Sequence, residues 1–211
     1  SSMASYGTIH GMVFPILMFP SVVLFSLSDL LVPELASCRA ENNSRRVYFL
    51  TDRCLKMGFL FACTVAGLMF CLASPLGQLF YHSELAGFYL RIFSPLVLIL
   101  YMDAMVDGMH KGLGQQAYCV RYNTITSFLD VVFLFLLLPK WGIAGYFFTF
   151  TVSHAINFFL SMRRLLQVTK YSLSLAFPAK ASACALLSGF LCHWIQQYIL
   201  SAISCLVWIP I

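Results

Sequence analysis

The sequence predicts an all-α protein, a polytopic bundle of membrane-spanning helices, and three observations support this. Hydrophobic residues make up 60% of the 211 residues and charged residues only 10%, whereas a soluble domain carries roughly 25% charge. The few charges cluster between long apolar runs, and each full run reaches the roughly 20 residues that cross a bilayer core. Prolines recur inside these runs, which membrane helices tolerate where neighbouring groups satisfy the freed backbone.

The apolar runs define the predicted helices and the domain organisation. We expect about six transmembrane helices and a truncated seventh, which begins near Ile203 and stops at Ile211. We predict that residues 1–170 form one lobe and that residues 171–211 add a helix pair whose second helix is truncated. The six full helices are predicted at Gly7–Leu35, Lys56–Phe80, Ala86–His110, Ala117–Leu138, Ile143–Met162 and Lys180–Leu200.

The first run contains the stretch GMVFPILMFPS, in which Pro15 and Pro20 lie five positions apart. A proline inside a helix removes a hydrogen bond and clashes with the preceding turn, at a cost of about 3 kcal/mol. Two such residues in one run therefore predict a bent helix. Pro15 and Pro20 are the candidate kink positions of this helix.

The third run carries ionisable residues at membrane depth, which mark functional sites by default. Asp103 and Asp107 are four residues apart and share a helix face, and Lys111 follows one turn later. We expect Asp107 and Lys111 to form an interfacial i,i+4 ion pair. Arg91 lies in the outer third of this helix, where it either snorkels to the headgroups or faces a cavity and attracts an anionic group. We favour the cavity.

The fourth and fifth runs add further polar candidates. Asp130 lies near the middle of the fourth predicted helix, and His154 and Asn157, three residues apart, share a face of the fifth. For Asp130 and His154, a structural role and a functional role are equally supported. The candidate residues for a substrate cavity are Arg91, Asp103, Asp130, His154 and Asn157.

Lysine and arginine predict the orientation. Eleven of the thirteen basic residues fall in Ser37–Lys56, His110–Tyr122 and Met162–Lys180. Cytoplasmic segments carry such an excess, so these three are predicted to be cytoplasmic and the chain to be a multi-pass cell-membrane protein. The first helix then runs from outside to inside, and the last run ends after nine residues. We therefore expect a fragment of a longer protein.

Several function classes lack their sequence signals. There is no basic stripe interleaved with aromatic residues on a soluble face, so nucleic acid is not expected as a partner. The sequence contains no P-loop, GxSxG or HExxH motif. We therefore expect no catalytic residues, no cofactor and no metal site, and the chain is not predicted to be an enzyme.

Four stretches carry a family resemblance: YGTIHGMVFPILMFPS, LSDLLVPELA, RIFSPLVLILYMDAMVDGMHKGLGQQ and RYNTITSFLDVVFLFLLLPKWGIAGYFFT. Together they resemble the polysaccharide-biosynthesis transporters of the stage V sporulation protein B type, within the multidrug/oligosaccharidyl-lipid/polysaccharide exporter superfamily. The resemblance covers about Tyr6 to Thr169 and is most specific from Arg91 to Gly145. It implies the C-terminal part of a two-lobe flippase of about fourteen helices.

The resemblance also implies a function and partners. Members of this family are regarded as flippases of lipid-linked glycans in alternating-access transport, and a bacterial plasma membrane is expected. Membrane lipids, a lipid-linked glycan and the missing N-terminal lobe are the implied partners. A drug/cation antiporter of the same superfamily remains an alternative that mid-membrane carboxylates such as Asp130 would favour. An integral-membrane glycan-processing enzyme is a further alternative.

Overall fold

The computed structural model describes residues 2–171, with side chains from residue 5 onward, and this part of the chain is a helical bundle. The predicted helices Lys180–Leu200 and Ile203–Ile211, and with them the 171–211 helix pair, lie outside the described residues apart from Tyr171. The elements are α1 (Ser2–Thr8), a π-helix (Ile9–Val13), α2 (Phe14–Met18), α3 (Ser21–Ala40), α4 (Ser44–Cys71), α5 (Ala73–Tyr81), α6 (Glu84–Phe93), α7 (Leu96–Gly112), α8 (Gln116–Trp141) and α9 (Ile143–Thr169).

Each of the five spans predicted before residue 171 corresponds to helices of the structure. Among the described residues, α3, α4, α8 and α9 are each long and apolar enough to cross a membrane, and α6 with α7 makes a fifth candidate if the pair, bent by 57°, is counted as one span. The all-α membrane bundle is thus confirmed. The division at residue 170 stays a prediction.

The helices differ from their predicted bounds at both ends. The segment Ser37–Lys56 was expected between helices, yet only residues 41–43 separate α3 from α4. The side chain of Asn43 caps α4 by accepting a hydrogen bond from the Arg46 N–H at 3.1 Å, which satisfies one of the free donors at a helix start. Lys56 and Asp52, one helical turn apart, form an ion pair at 2.7 Å. Charged residues therefore extend these helices beyond their apolar cores.

The three segments rich in lysine and arginine meet at one end of the bundle, which we call the basic end. The Arg39 guanidinium at the end of α3 donates to the Leu113 carbonyl after α7. Arg164 near the end of α9 donates to Gln115 Oε1 at 2.8 Å. The prediction that these segments share a side is consistent with this packing.

Just beyond α9, the Tyr171 hydroxyl joins the end of α9 to α4 by donating to Asp52 Oδ1 at 2.5 Å. Burial, and after it the hydrogen bond with the Asp52 carboxylate, raise the pKa of Tyr171 above its ordinary value. The tyrosine therefore stays protonated and able to donate at neutral pH.

The first span departs from a regular α-helix near both prolines, and its bend stays a prediction. The N–H of Phe14 bonds to the Ile9 carbonyl, five residues back, so the π-helix widens the turn just before Pro15. Such π segments accompany breaks in helices. The second break lies between Met18 and Ser21, at Pro20.

The carbonyls exposed by the second break are satisfied from within the protein. The Tyr101 hydroxyl of α7 donates to the Leu17 carbonyl at 2.5 Å and also hydrogen-bonds the Ser21 backbone. It therefore stands where the i→i−4 bond of an intact helix would lie. The Ser21 hydroxyl donates to the Met18 carbonyl at 2.5 Å. A side chain inserted into the helical ladder is a recognised cause of a kink.

At the bend between α6 and α7, a side-chain hydroxyl again donates to a backbone carbonyl. Pro95 cannot donate to the carbonyl of Arg91, four residues earlier. The Ser94 hydroxyl donates to that carbonyl instead, at 2.9 Å. This bend was not predicted from the sequence.

Helix α7 is the centre of the described bundle. It packs against α3, α4 and α9, and ten of its seventeen residues are buried. Gly108 and Gly112 lie four residues apart where α7 approaches α3: a Cβ at Gly112 would lie 2.8 Å from the Leu35 Cβ and 2.9 Å from the Val32 carbonyl oxygen. Small residues at this spacing allow membrane helices to approach closely.

Gly112→Ala is expected to destabilise the full-length protein by about 1–3 kcal/mol, the usual cost of overpacking. Thermal unfolding in detergent would measure it. Gly7→Ala is the matched control, because a Cβ at Gly7 meets nothing within 4 Å. Equal stability of the two variants would contradict close α3–α7 packing at Gly112.

Tyr101→Phe removes the hydroxyl that bridges the break at Pro20 and should lower stability by about 1–3 kcal/mol, because buried backbone groups lose their partner. In a Pro20→Ala background, residue 20 regains its N–H and the intact ladder can re-form, so Tyr101→Phe should cost less there. A double-mutant cycle on unfolding free energies measures the coupling. Additive effects would show that the hydroxyl does not serve the break. Tyr89→Phe is the control, since its partly buried hydroxyl makes no hydrogen bond within residues 5–171.

Candidate functional site

A buried carboxylate of α7 meets polar groups of α8 and α9. Asn157 Nδ2 of α9 donates to Asp103 Oδ2 at 2.9 Å. The Thr126 hydroxyl of α8 lies 3.4 Å from Asn157 Oδ1. Asn157 and Thr126 are 5% and 6% exposed and Asp103 is partly buried, so three helices converge on a largely buried polar site. Two of the five predicted candidates, Asp103 and Asn157, are thereby brought together.

Asp107 follows Asp103 by one helical turn on α7 and extends the same site. The Cys119 side chain of α8 lies close to the Asp107 carboxylate. One oxygen of each carboxylate, Asp103 Oδ1 and Asp107 Oδ1, is buried without a hydrogen-bond partner among the described residues. We call Asp103, Asp107, Asn157 and Thr126 the acid site.

The predicted ion pair between Asp107 and Lys111 is wrong. Within residues 5–171, the ion pairs closer than 4 Å are Arg46–Glu34 and Lys56–Asp52. Asp107 points into the buried α7–α8 contact, whereas Lys111 is exposed. The acid site therefore holds two carboxylates without a close cation from the described chain.

A polar stripe follows one face of α9 through the bundle. Thr149, Ser153, Asn157 and Ser161 are all buried and are spaced by four residues, which places them on one helix face. The hydroxyls of Thr149, Ser153 and Ser161 have no hydrogen-bond partner among the described residues. These three hydroxyl residues were not predicted from the sequence, although their spacing of four is visible in the stretch TFTVSHAINFFLS.

The end of the bundle opposite the basic end carries a polar aromatic cluster. His10 Nε2 of the π-helix and the Tyr146 hydroxyl of α9 lie 2.8 Å apart. The His10 ring contacts Tyr6 and Phe14, with centroids 4.4 and 5.1 Å away. The broken first span is thus joined to α9 by a hydrogen bond at this end and to α7 by Tyr101 further along.

Asp130 and His154 lie between the aromatic cluster and the acid site. Both are partly buried, and Asp130 interacts electrostatically with His154 and Tyr146. The His154 ring packs on Phe150 with centroids 4.3 Å apart. His154 and Asn157 therefore have different neighbours, despite being only three residues apart.

Arg91 lies apart from the other four candidates. Its side chain is exposed on α6, with Nη2 3.4 Å from the Ser74 hydroxyl and the guanidinium carbon 5.8 Å from the Phe70 ring centroid. It contacts neither the acid site nor Asp130. The roles of all five candidates in substrate binding stay predictions.

At the basic end, the polar stripe of α9 ends next to Arg164, whose side chain is fixed by its neighbours. Arg164 donates to Gln115 and lies 3.9 Å from the Tyr118 ring centroid. His110 of α7 is fully buried nearby, with Nδ1 2.9 Å from the Val106 carbonyl. Carboxylates can take up protons, and the oxygens of carboxylates, amides and hydroxyls can bind hard cations, so the acid site is suited to binding a small positive charge.

Comparisons with known proteins find both a curated relative and a family model that match this sequence. The chain is 21% identical over 196 residues to stage V sporulation protein B of Bacillus subtilis (strain 168), which covers 92% of this chain and 38% of that protein. The chain thus spans well under half the length of this curated relative. No solved structure matches the chain significantly.

A family model extends the comparison beyond one relative. The model described as MatE matches residues 4–136, which include the broken first span, α7 and most of α8. This confirms the resemblance to the exporter superfamily and supports a multi-pass membrane protein. Because the match covers more than half of the chain, the chain belongs to the MatE family.

Proposed function

We propose that this chain is part of a membrane exporter that flips lipid-linked oligosaccharide or polysaccharide precursors for cell-envelope synthesis in a bacterial plasma membrane. The observation that carries the transport function is the polar stripe of α9 with the acid site, buried within helices long enough to cross a membrane. Such groups are costly at membrane depth and mark substrate or ion pathways. The likeness to stage V sporulation protein B supports a role in sporulation, and the glycan substrate is what the resemblance to polysaccharide-biosynthesis transporters implies.

Transport would proceed by alternating access, with a second lobe completing the cavity. The first span widens into a π-helix before Pro15 and is interrupted at Pro20, and near these points hydrogen bonds join it to α9 and α7. A discontinuous helix of this kind can change its bend while the packed α7 stays in place. The membrane, the glycan lipid and the second lobe are the partners that this proposal requires.

The acid site supplies a means of coupling. Two carboxylates on one helix face repel each other unless a proton or cation reduces their charge. Binding of a cation there would therefore change the packing between α7, α8 and α9. The same feature favours a second candidate function, an antiporter that exchanges a cation for a cationic organic compound.

A reconstitution assay separates the two candidates. The full-length protein in proteoliposomes should translocate a fluorescent lipid-linked oligosaccharide, and a cationic dye should not accumulate. Dye accumulation driven by an ion gradient, without glycan translocation, would replace the flippase with the antiporter.

Asp103→Asn tests the coupling site. The amide keeps an acceptor for Asn157 but removes the negative charge, so the protein should fold normally while gradient-driven transport falls at least tenfold. Asp29→Asn is the matched control, because Asp29 is an exposed carboxylate on the spanning helix α3. Initial rates with and without an imposed pH or sodium gradient would measure the effect. Full gradient dependence in the Asp103 variant would exclude this carboxylate from coupling.

Arg91→Lys tests a role in the substrate path. Arginine can bind a diphosphate by a bidentate contact that lysine mimics poorly, so the variant should transport about tenfold more slowly at normal expression, and Arg91→Ala more slowly still. If Arg91 only snorkels, lysine reaches the headgroups equally well. Wild-type transport by the lysine variant would therefore remove Arg91 from the path. Arg121→Lys, at an exposed arginine of α8, is the control.

A further inference from the structure

An open pocket lies at the basic end, where the ends of α3, α7 and α9 and the start of α4 meet. It has a volume of about 200 Å³ and is lined by the α3–α4 connection, the residue after α7 and the end of α9. Its polar lining comes from Arg39, Asn42, Asn43, Ser44, Thr169 and Lys170. The pocket is separate from the acid site, which the transport proposal uses.

The lining of this pocket is positively charged. Arg39 and Lys170 contribute two cations from two different helix ends, and none of the described lining residues is a carboxylate. Amide and hydroxyl groups of Asn42, Asn43 and Ser44 add neutral hydrogen-bonding capacity. A concave surface with two cations and several polar groups is suited to an anion that carries several oxygens.

Both cations are positioned by the fold. The Arg39 guanidinium donates to the Leu113 carbonyl, which holds it across the opening while leaving further N–H groups for a ligand. Lys170 ends α9 in the left-handed conformation, with φ 53°, and this fixes where its side chain leaves the helix. The ion pair of Arg46 with Glu34, by contrast, lies on the exposed surface.

The location favours one source of the anion. The pocket lies at the ends of membrane-spanning helices, on the side predicted to be cytoplasmic, where anionic lipids accumulate. Basic pockets between such helices are suited to lipid headgroups. We propose that this pocket binds the phosphate group of an anionic membrane lipid, through Arg39 and Lys170.

The test uses the full-length protein in detergent, titrated with phosphatidylglycerol or phosphatidylcholine and followed by native mass spectrometry. A basic residue near the membrane surface contributes about fivefold in affinity for anionic lipid. Lys170→Asn should therefore weaken phosphatidylglycerol binding about fivefold, and Arg39→Gln with Lys170→Asn about 25-fold. Phosphatidylcholine binding should not change.

Lys170→Asn keeps the test independent of folding, because asparagine tolerates the left-handed conformation and Lys170 makes no hydrogen bond or ion pair within residues 5–171. The control is Arg45→Gln with Arg121→Gln, which removes the same charge from exposed positions outside the pocket. Equal weakening by the control pair would overturn the proposal, as would unchanged binding in the pocket variants. Displacement of the lipid by millimolar inorganic phosphate would assign the pocket to free phosphate instead.

Discussion

A backbone carbonyl released at membrane depth must find a donor within the protein, and this requirement organises the described bundle. Lipid offers no hydrogen bond, and each unsatisfied group costs several kcal/mol. Here the Tyr101 hydroxyl serves Leu17, the Ser21 hydroxyl serves Met18 and the Ser94 hydroxyl serves Arg91. The Ser94 hydroxyl takes the place of the N–H that Pro95 lacks, and the Tyr101 and Ser21 hydroxyls serve carbonyls next to the break at Pro20.

This requirement joins the broken span to the acid site through α7. Tyr101 faces the break, and Asp103, two residues later, faces Asn157 of α9. Because residues two apart on a helix point in different directions, one rigid helix contacts both features. Gly112 keeps α7 close to α3. A change at the acid site that displaced α7 would therefore also displace Tyr101 and the break at Pro20, because no flexible segment lies between them.

The sequence predicted the fold class and the described spans because length and apolar composition are local properties. It also predicted the break at Pro20, since a proline acts on its own helix. It did not predict the role of Tyr101, which depends on the packing of a helix more than 80 residues away in sequence. The helix ends were misjudged for a related reason: Asn43 and Asp52 stabilise turns outside the apolar cores.

The candidate site shows the same limit. Asp103, Asp107 and Asn157 could be selected by residue type and depth. Which of them meet across the contact between α7 and α9 depends on tertiary packing, which the sequence does not show. The lysine four residues after Asp107 suggested an ion pair, whereas the neighbour that the fold places close to Asp107 is Cys119 of α8. The stripe from Thr149 to Ser161 could have been found, because its period of four is visible within one helix.

The distribution of polar groups along α9 argues for a path rather than a set of unrelated packing contacts. Tyr146 hydrogen-bonds the first span at one end, and Asn157 hydrogen-bonds Asp103 of the acid site near the middle. Arg164 hydrogen-bonds the α7–α8 connection at the basic end. Isolated polar contacts would stabilise helix packing equally well at scattered positions. A continuous face, with hydroxyls between these contacts that make no hydrogen bond within residues 5–171, instead offers successive sites to a proton or small cation along the length of the helix.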